Sequence, residues 1–202
     1  MNSAGNKIFT MFRISVLTIL AALFVSNLLQ LNIPTVQEAR DGLTLALVER
    51  QMELAGENSD NLVQRGWSYY QLGRFTKAKA IMEKAYAEDN STSALYCLGL
   101  IDLKYRRLED GIAKLEKVLT LSPNHVPTMM ALGESYFQQR YYGRSEVLFE
   151  KAVQNEPTSA KARLWLGRTY LNTNETSKAR QVLSTVNTGP EGREAAALVK
   201  NI

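Results

Sequence analysis

The chain has 202 residues, of which 45% are hydrophobic and 22% charged, with a formal net charge of +4. This is enough chain for one domain of ordinary size plus an extra segment. Lys and Arg are interspersed with acids rather than clustered on one face, so we predict no nucleic-acid partner. A single cysteine, Cys97, excludes an intrachain disulfide, and its place beside Leu98 in a predicted helix indicates a packed, inert thiol.

The N-terminal part begins with a short tail, residues 1–13, that carries Lys7 and Arg13. An uncharged, largely apolar run follows from residue 14 to residue 33. Twenty helical residues at about 1.5 Å rise span roughly 30 Å, the thickness of a bilayer core. We therefore predict a transmembrane signal-anchor helix over 14–33. Cleavage as a secretory signal peptide is the alternative, although no convincing small-x-small cleavage site accompanies the run.

The basic flank of this run sets the expected orientation. Lys7, Arg13 and the amino terminus precede the apolar run, whereas the region after it has no basic excess. The positive-inside tendency predicts a single-pass membrane protein whose following domain lies on the periplasmic or extracytoplasmic side. The alternatives are a protein secreted after signal-peptide cleavage and a domain that faces the cytoplasm.

Residues 34–58 are predicted to contain a second, amphipathic helix. Val36, Leu43, Leu47 and Leu54 recur near helical spacing, and charged residues of both signs occupy the other faces. We interpret the segment as a juxtamembrane half repeat that covers the exposed end of the domain that follows. A helix lying on the membrane surface is the alternative, disfavoured because the charges are mixed rather than basic.

The rest of the chain repeats one pattern with a period of 33 or 34 residues. In each copy a glycine is followed twelve residues later by a second small residue, and four further on by a large apolar one. The glycines are Gly66, Gly99, Gly133 and Gly167; the second small residues are Ala78, Gly111, Ser145 and Ala179; the large residues are Met82, Leu115, Phe149 and Leu183. These positions fall on single faces of two helices, which can approach closely where the small residues meet.

This pattern resembles the tetratricopeptide repeat family, whose unit is a helix-turn-helix of 34 residues. The resemblance covers about 59–193, as four repeats at 59–91, 92–125, 126–159 and 160–193. It implies an all-α fold, a right-handed superhelical stack in which each repeat buries its apolar face against its neighbours. Residues 190–202 are predicted to form a C-terminal capping helix that closes the last seam.

The repeats depart from their own pattern at one aromatic position. Tyr69, Tyr136 and Tyr170 hold that position in three repeats, and Asp102 holds it in the second. We expect Asp102 to be solvated or to bond to Arg106 one turn later.

The sequence offers no constellation of catalytic or metal-binding residues. His125 is the only histidine, which excludes a histidine-based metal cluster and an HExxH site. A GxxxxGK phosphate loop is also lacking. We therefore predict that the protein is not an enzyme, and that it has no catalytic residues, no metal ligands and no cofactor.

The family resemblance implies a concave groove lined by the first helices of successive repeats. The residues three before, one after and four after each repeat glycine are expected to face it. They are Val63, Trp67, Tyr70, Tyr96, Leu100, Leu103, Met130, Glu134, Phe137, Leu164, Arg168 and Leu171. Such a mostly apolar surface suits an amphipathic helix or an apolar extended segment of another protein. The alternative is that these side chains pack against neighbouring helices or cover the helix at 35–55.

Some family members hold a C-terminal carboxylate with Lys, Asn and Arg in this groove, and the resemblance implies that this clamp is absent here. Val63, Trp67 and Cys97 stand where polar or basic groups would be needed, and only Lys161 and Arg168 form a partial basic pair. We predict a membrane-anchored scaffold or adaptor that binds another protein and supports assembly or localisation of a membrane-associated complex. The alternatives are a self-assembling structural protein and an accessory subunit bound to a membrane complex through its transmembrane helix.

Overall fold

A computed structural model describes residues 58–202 without a break, and before them residues 42–43, 46–47 and 49–50, which are helical. The amphipathic segment predicted over 34–58 is thus described only at these six positions and at its last residue. The tail at 1–13 and the apolar run at 14–33 lie outside the described residues.

Residues 58–202 form nine α-helices joined by short turns. They are α1 (Ser59–Gln71), α2 (Phe75–Asp89), α3 (Thr92–Lys104), α4 (Leu108–Leu121), α5 (Val126–Gln138), α6 (Tyr142–Asn155), α7 (Ala160–Asn172), α8 (Thr176–Leu183) and α9 (Gly189–Lys200). The pairs α1/α2, α3/α4, α5/α6 and α7/α8 pack as hairpins, and each hairpin packs on the next through α2–α3, α4–α5 and α6–α7. The all-α stack of helical hairpins predicted from the period is confirmed.

The small residues of the period lie where the two helices of a hairpin approach most closely. A Cβ placed on Gly133 would lie 2.6 Å from Cε1 of Phe149, and one on Gly66 would lie 2.7 Å from Cε of Met82. Ser145 is fully buried, and its Oγ donates a hydrogen bond of 2.9 Å to the Gly133 carbonyl. These contacts explain why the period requires a small residue facing a large one: a longer side chain at the small position would overpack the seam.

The turn inside each hairpin places one residue in the left-handed backbone region. These residues are Gly73 (φ 70°), Arg106 (φ 58°), Arg140 (φ 63°) and Asn174 (φ 62°). The backbone N–H of the next residue then donates to a backbone carbonyl in the last turn of the first helix. In the second hairpin, the Arg107 N–H donates to the Asp102 carbonyl at 2.9 Å. Such closure ends the first helix and reverses the chain. Arg106 and Arg140 adopt a conformation that glycine would adopt without steric cost.

Helix α9 covers the end of the last hairpin. Ala195 is buried, and Leu198, Val199 and Ile202 pack half-buried against the apolar core that runs through α5 to α8. Ala196, by contrast, is exposed. The final helix therefore shields the apolar residues that a further hairpin would otherwise cover.

Within the part of the chain that the structure describes, no helix is long and apolar enough to cross a membrane. Helices α1 to α9 contain 8 to 15 residues, so the longest reaches only about 22 Å, short of a bilayer core of roughly 30 Å. This finding contradicts the predicted localisation as a single-pass membrane protein with its repeats on the periplasmic side. The segment 14–33, to which the span was assigned, lies outside the described residues.

Candidate protein-binding groove

Helices α3 and α5, the first helices of successive hairpins, flank a groove of about 880 Å³, called here the α3–α5 groove. Its walls are completed by the α3–α4 turn and the α6–α7 turn. Six of the twelve groove residues predicted from the sequence line it, and these are Tyr70, Tyr96, Leu100, Leu103, Met130 and Glu134. The other six, Val63, Trp67, Phe137, Leu164, Arg168 and Leu171, lie elsewhere.

The α3 wall of the α3–α5 groove is apolar in its middle. Tyr96, Leu100 and Leu103 follow each other at helical spacing along α3 and therefore share one face. They are half-buried, so part of each side chain remains accessible. Met130, on the opposite wall, is only 8% exposed. A partner that covered the α3 side chains would remove apolar surface from water.

Tyr96 stands at the junction of the groove with the first hairpin. Its ring lies 5.7 Å from that of Trp67 and 5.1 Å from that of His125. Burial, reinforced by the nearby Tyr70 and Glu134, raises the pKa of Tyr96 to about 12. The hydroxyl therefore stays protonated near neutral pH and remains able to donate a hydrogen bond at the groove wall.

Trp67 belongs to a row of aromatic rings rather than to the lining of the α3–α5 groove. Its ring is 5.4 Å from that of Tyr70 and nearly perpendicular to it, and Tyr70 is 5.3 Å from Phe75. Phe75 in turn meets Tyr105 at 6.2 Å. Trp67 is half-buried, so this row extends the apolar face of the groove towards the first hairpin.

The predicted groove positions of the fourth hairpin are covered. Leu164 is buried, and Leu171 packs half-buried against the same core. Arg168 forms an ion pair with Glu194 of α9 and lies over the ring of Trp165 at 4.7 Å. Arg168 thus contacts the capping helix, and Leu164 and Leu171 pack into the core of the last hairpins.

Phe137 is held in the same way by its neighbours. Its ring lies 5.3 Å from Tyr142 and 5.3 Å from Trp165, edge to face in both cases. Such ring pairs add to the stability gained from burial. Phe137 thus links α5 to α6 and α7, and its side chain remains half-buried.

Charged groups lie at both ends of the α3–α5 groove, and sequence reasoning identified few of them. Lys104 and Arg106 lie at the end formed by the α3–α4 turn, and Glu156 and Lys161 at the end formed by the α6–α7 turn. Lys161 forms an ion pair with Glu134 at the groove wall, with Nζ 2.6 Å from Oε1. Arg106 and Glu156 lie in turns, which have no helical period, so their positions at the groove ends could not be read from spacing alone.

Asp102 is buried, with 3% of its surface exposed, and both of its carboxylate oxygens are paired. Arg107 contacts Oδ1 at 2.7 Å and Lys114 contacts Oδ2 at 2.6 Å. The expectation that Asp102 would be solvated or bond to Arg106 is therefore wrong. Arg106 is the left-handed turn residue, and the chain reverses there, so it is the next arginine that meets Asp102.

The sequence did contain a signal for this pair. Lys114 lies three residues after the second small residue of its repeat, where the other three repeats have Ile81, Leu148 and Val182. The second repeat therefore departs from the period twice, with an acid in place of an aromatic residue and a base in place of an aliphatic one. Two departures of opposite charge on facing helices indicate an ion pair that replaces an apolar contact.

Cys97 has no exposed surface, and burial raises the pKa of its thiol to about 12. The thiolate, which is the reactive form, is therefore scarce near neutral pH. This agrees with the packed, inert thiol predicted from the sequence.

Family models described as tetratricopeptide repeat match residues 59–92 and residues 141–202. A curated relative, the CTR9 homolog of Arabidopsis thaliana, is 29% identical over 110 residues. That match takes in 52% of this chain and only 10% of the relative, so the chain spans about a tenth of the relative's length.

Several solved structures are similar in fold. A MamA structure from Desulfovibrio magneticus RS-1 has a TM-score of 0.61 and 20% identity, with 82% of this chain and 92% of that chain covered. Another MamA crystal structure gives 0.63 and 17%, with 80% and 94% covered. The TPR protein TTC0263 of Thermus thermophilus gives 0.59 and 24%, with 70% and 81% covered. The tetratricopeptide-repeat models thus match residues 59–92 and 141–202, and the stack of hairpins shares the fold of these solved structures.

Proposed function

We propose that this protein is a non-enzymatic scaffold that binds a segment of another protein in the α3–α5 groove. The observation that carries the proposal is the groove itself, where Tyr96, Leu100 and Leu103 stay half-buried between two charged ends. Apolar side chains at the centre with polar groups at the rim are the usual anatomy of a protein-binding surface. The scaffold acts by recognition on a rigid surface, and no membrane anchor is part of the proposal.

The aromatic rings of α1 and the adjoining Tyr96 of α3 support the same function. Trp67, Tyr70 and Tyr96 are large side chains already held in place by ring contacts. These side chains lose little conformational entropy when a partner packs on them, because ring contacts already hold them in place. Tyr and Trp are also the residue types that dominate binding energy at protein interfaces.

Site-specific photo-crosslinking in the native cell tests this function. The photoreactive amino acid replaces Leu100 in the groove or, as the matched control, Val147 on α6, an exposed apolar residue outside the groove lining. We expect one discrete adduct with another protein from position 100 and none from position 147.

Two outcomes would contradict the proposal. Adducts only between copies of this chain would favour the self-assembling structural protein instead. Equal adducts from both positions, or none from position 100 in a folded and abundant protein, would show that the groove is not a recruitment site.

A further inference from the structure

The two ends of the α3–α5 groove differ in charge. Helices α3 and α5 run in the same direction, because α4 lies between them in the chain and reverses the direction at each of its ends. The α3–α4 turn and the α6–α7 turn therefore lie at opposite edges of the stack. Lys104 and Arg106 belong to the first edge, and Glu156 and Lys161 to the second.

The cations of the first edge have no anionic partner within residues 58–202. Lys104 and Arg106 are exposed, and no acid of the described chain pairs with them. Arg107, the next residue, is held by Asp102 at 2.7 Å. The other oxygen of Asp102 is bound by Lys114 at 2.6 Å, so both oxygens of that carboxylate are already paired with other cations.

The backbone holds Arg106 at the groove end. Its φ of 58° and the hydrogen bond of 3.1 Å from its N–H to the Leu103 carbonyl fix the turn. Apart from the paired Asp102, the nearest acids along the chain are Glu109 and Asp110, in the first turn of α4. There they interact favourably with the N-terminal dipole of that helix.

The second edge carries no surplus of positive charge. The ammonium group of Lys161 lies 2.6 Å from Glu134, and the two charges offset each other. Glu156 is exposed and adds a negative charge at the same edge. An anion in the groove is therefore attracted to the Lys104 edge and repelled at the Glu156 edge.

The apolar stretch between the edges limits the size of an occupant. From Tyr96 to Lys104 the helix advances eight residues, or about 12 Å. About four residues of an extended chain cover that distance. Leu100, Leu103 and Met130 line this stretch and would contact alternate side chains of such a segment.

We infer that the α3–α5 groove binds an extended protein segment of about four residues, apolar in its centre and flanked at one end by Asp or Glu side chains that pair with Lys104 and Arg106. This inference rests on the proposed function and adds the chemistry of the partner and its orientation. Arginine suits the role, because its guanidinium can donate two parallel hydrogen bonds to one carboxylate. The acidic edge around Glu156 opposes the reversed orientation.

Selection from a library of random short peptides displayed on bacteriophage tests the inference with the full-length protein. Three forms serve as bait: the wild type, the double variant Lys104→Gln/Arg106→Gln, and the control Arg140→Gln. Arg140 is matched to Arg106, since it is an exposed arginine with left-handed backbone in the equivalent turn of the next hairpin, yet it does not line the groove. The peptides lack free C-termini, so any acids selected are side chains.

We expect wild type and Arg140→Gln to enrich apolar runs with Asp or Glu at one consistent end. On Lys104→Gln/Arg106→Gln the acidic preference should disappear while the apolar run remains. A synthetic copy of an enriched peptide should bind the double variant about fivefold more weakly than wild type, the size expected for two largely exposed ion pairs. Its affinity for Arg140→Gln should match that for wild type.

The remaining outcomes overturn the inference in distinguishable ways. Enriched apolar peptides without acids, or with acids that persist on the double variant, would refute the acidic flank and leave the scaffold function standing. If no acids are enriched, yet a synthetic apolar peptide with a free C-terminal carboxylate binds wild type more tightly than its C-terminal amide, the cations would be assigned to a chain terminus instead of acidic side chains. No enrichment from the library, together with no adduct from position 100, would refute both the inference and the proposed function.

Discussion

The substitution Gly133→Ala tests the helical seam at its tightest contact with an aromatic ring. The added Cβ would lie 2.6, 2.8 and 3.0 Å from three ring carbons of Phe149. Non-bonded carbons normally stay about 3.5 Å or more apart. Phe149 has no exposed surface, and its ring is stacked on Trp165 at 5.8 Å. The ring must therefore move by about 1 Å in a closely packed core to admit the methyl group.

Two opposing effects set the size of the loss. Overpacking a core by one methyl group costs about 1–3 kcal/mol. Replacing a helical glycine by alanine returns about 1 kcal/mol, because alanine has the higher helix propensity. For Gly133→Ala we therefore expect the free energy of unfolding to fall by up to about 2 kcal/mol.

Urea unfolding of the full chain, followed by far-UV circular dichroism, measures this loss at an unchanged m-value. The control is Gly143→Ala in α6, where no atom lies within 4 Å of the added Cβ. That variant should be as stable as the wild type or slightly more stable. Gly66→Ala should lower the free energy of unfolding less than Gly133→Ala does, because the added methyl group meets the flexible side chain of Met82. If Gly133→Ala were as stable as Gly143→Ala, the seam would not limit residue size and the packing argument would be refuted.

Three further predictions concern Asp102, His125 and Cys97. Asp102→Tyr removes the acid that Arg107 and Lys114 share, and Lys114→Leu leaves one buried oxygen of Asp102 unpaired, so each should destabilise the fold by about 1–3 kcal/mol. The double variant restores the residue types of the other repeats and should lose clearly less than the sum, so additivity in the double-mutant cycle would contradict the ion-pair account. Burial lowers the pKa of His125, so the unfolded chain binds more protons between that value and about 6.5. The urea concentration at the unfolding midpoint should therefore be lower at about pH 5.5 than at about pH 7.5, and this decrease should be smaller in His125→Gln. An equal decrease in the two proteins would show that His125 does not cause the pH dependence. The Cys97 thiol, whose pKa is raised to about 12, should react with Ellman's reagent only after unfolding in urea, and prompt reaction of the native protein would disprove its burial.

The sequence by itself determined the helices and their pairing. A helix has a period of 3.6 residues, so the apolar spacing identifies which face each helix buries. The repeat of 33 or 34 residues then predicts that the same hairpin recurs. The contact between Gly133 and Phe149 is one example of the small-to-large pairing in these hairpins. These are local properties, because each hairpin is continuous in the chain and most of its contacts are short-range.

The tertiary structure decided which parts of the predicted groove stay accessible. The spacing assigned Leu100 and Arg168 to equivalent positions, yet Leu100 lines the groove while Arg168 pairs with Glu194 of the capping helix. Accessibility depends on which elements are neighbours in space, and helical spacing does not contain that information. The charges at the groove ends arise in the same way, since the α3–α4 turn meets α5 only in the stack. Helical spacing therefore determined the faces of the helices, and the contacts between hairpins decided which faces remain available to a partner.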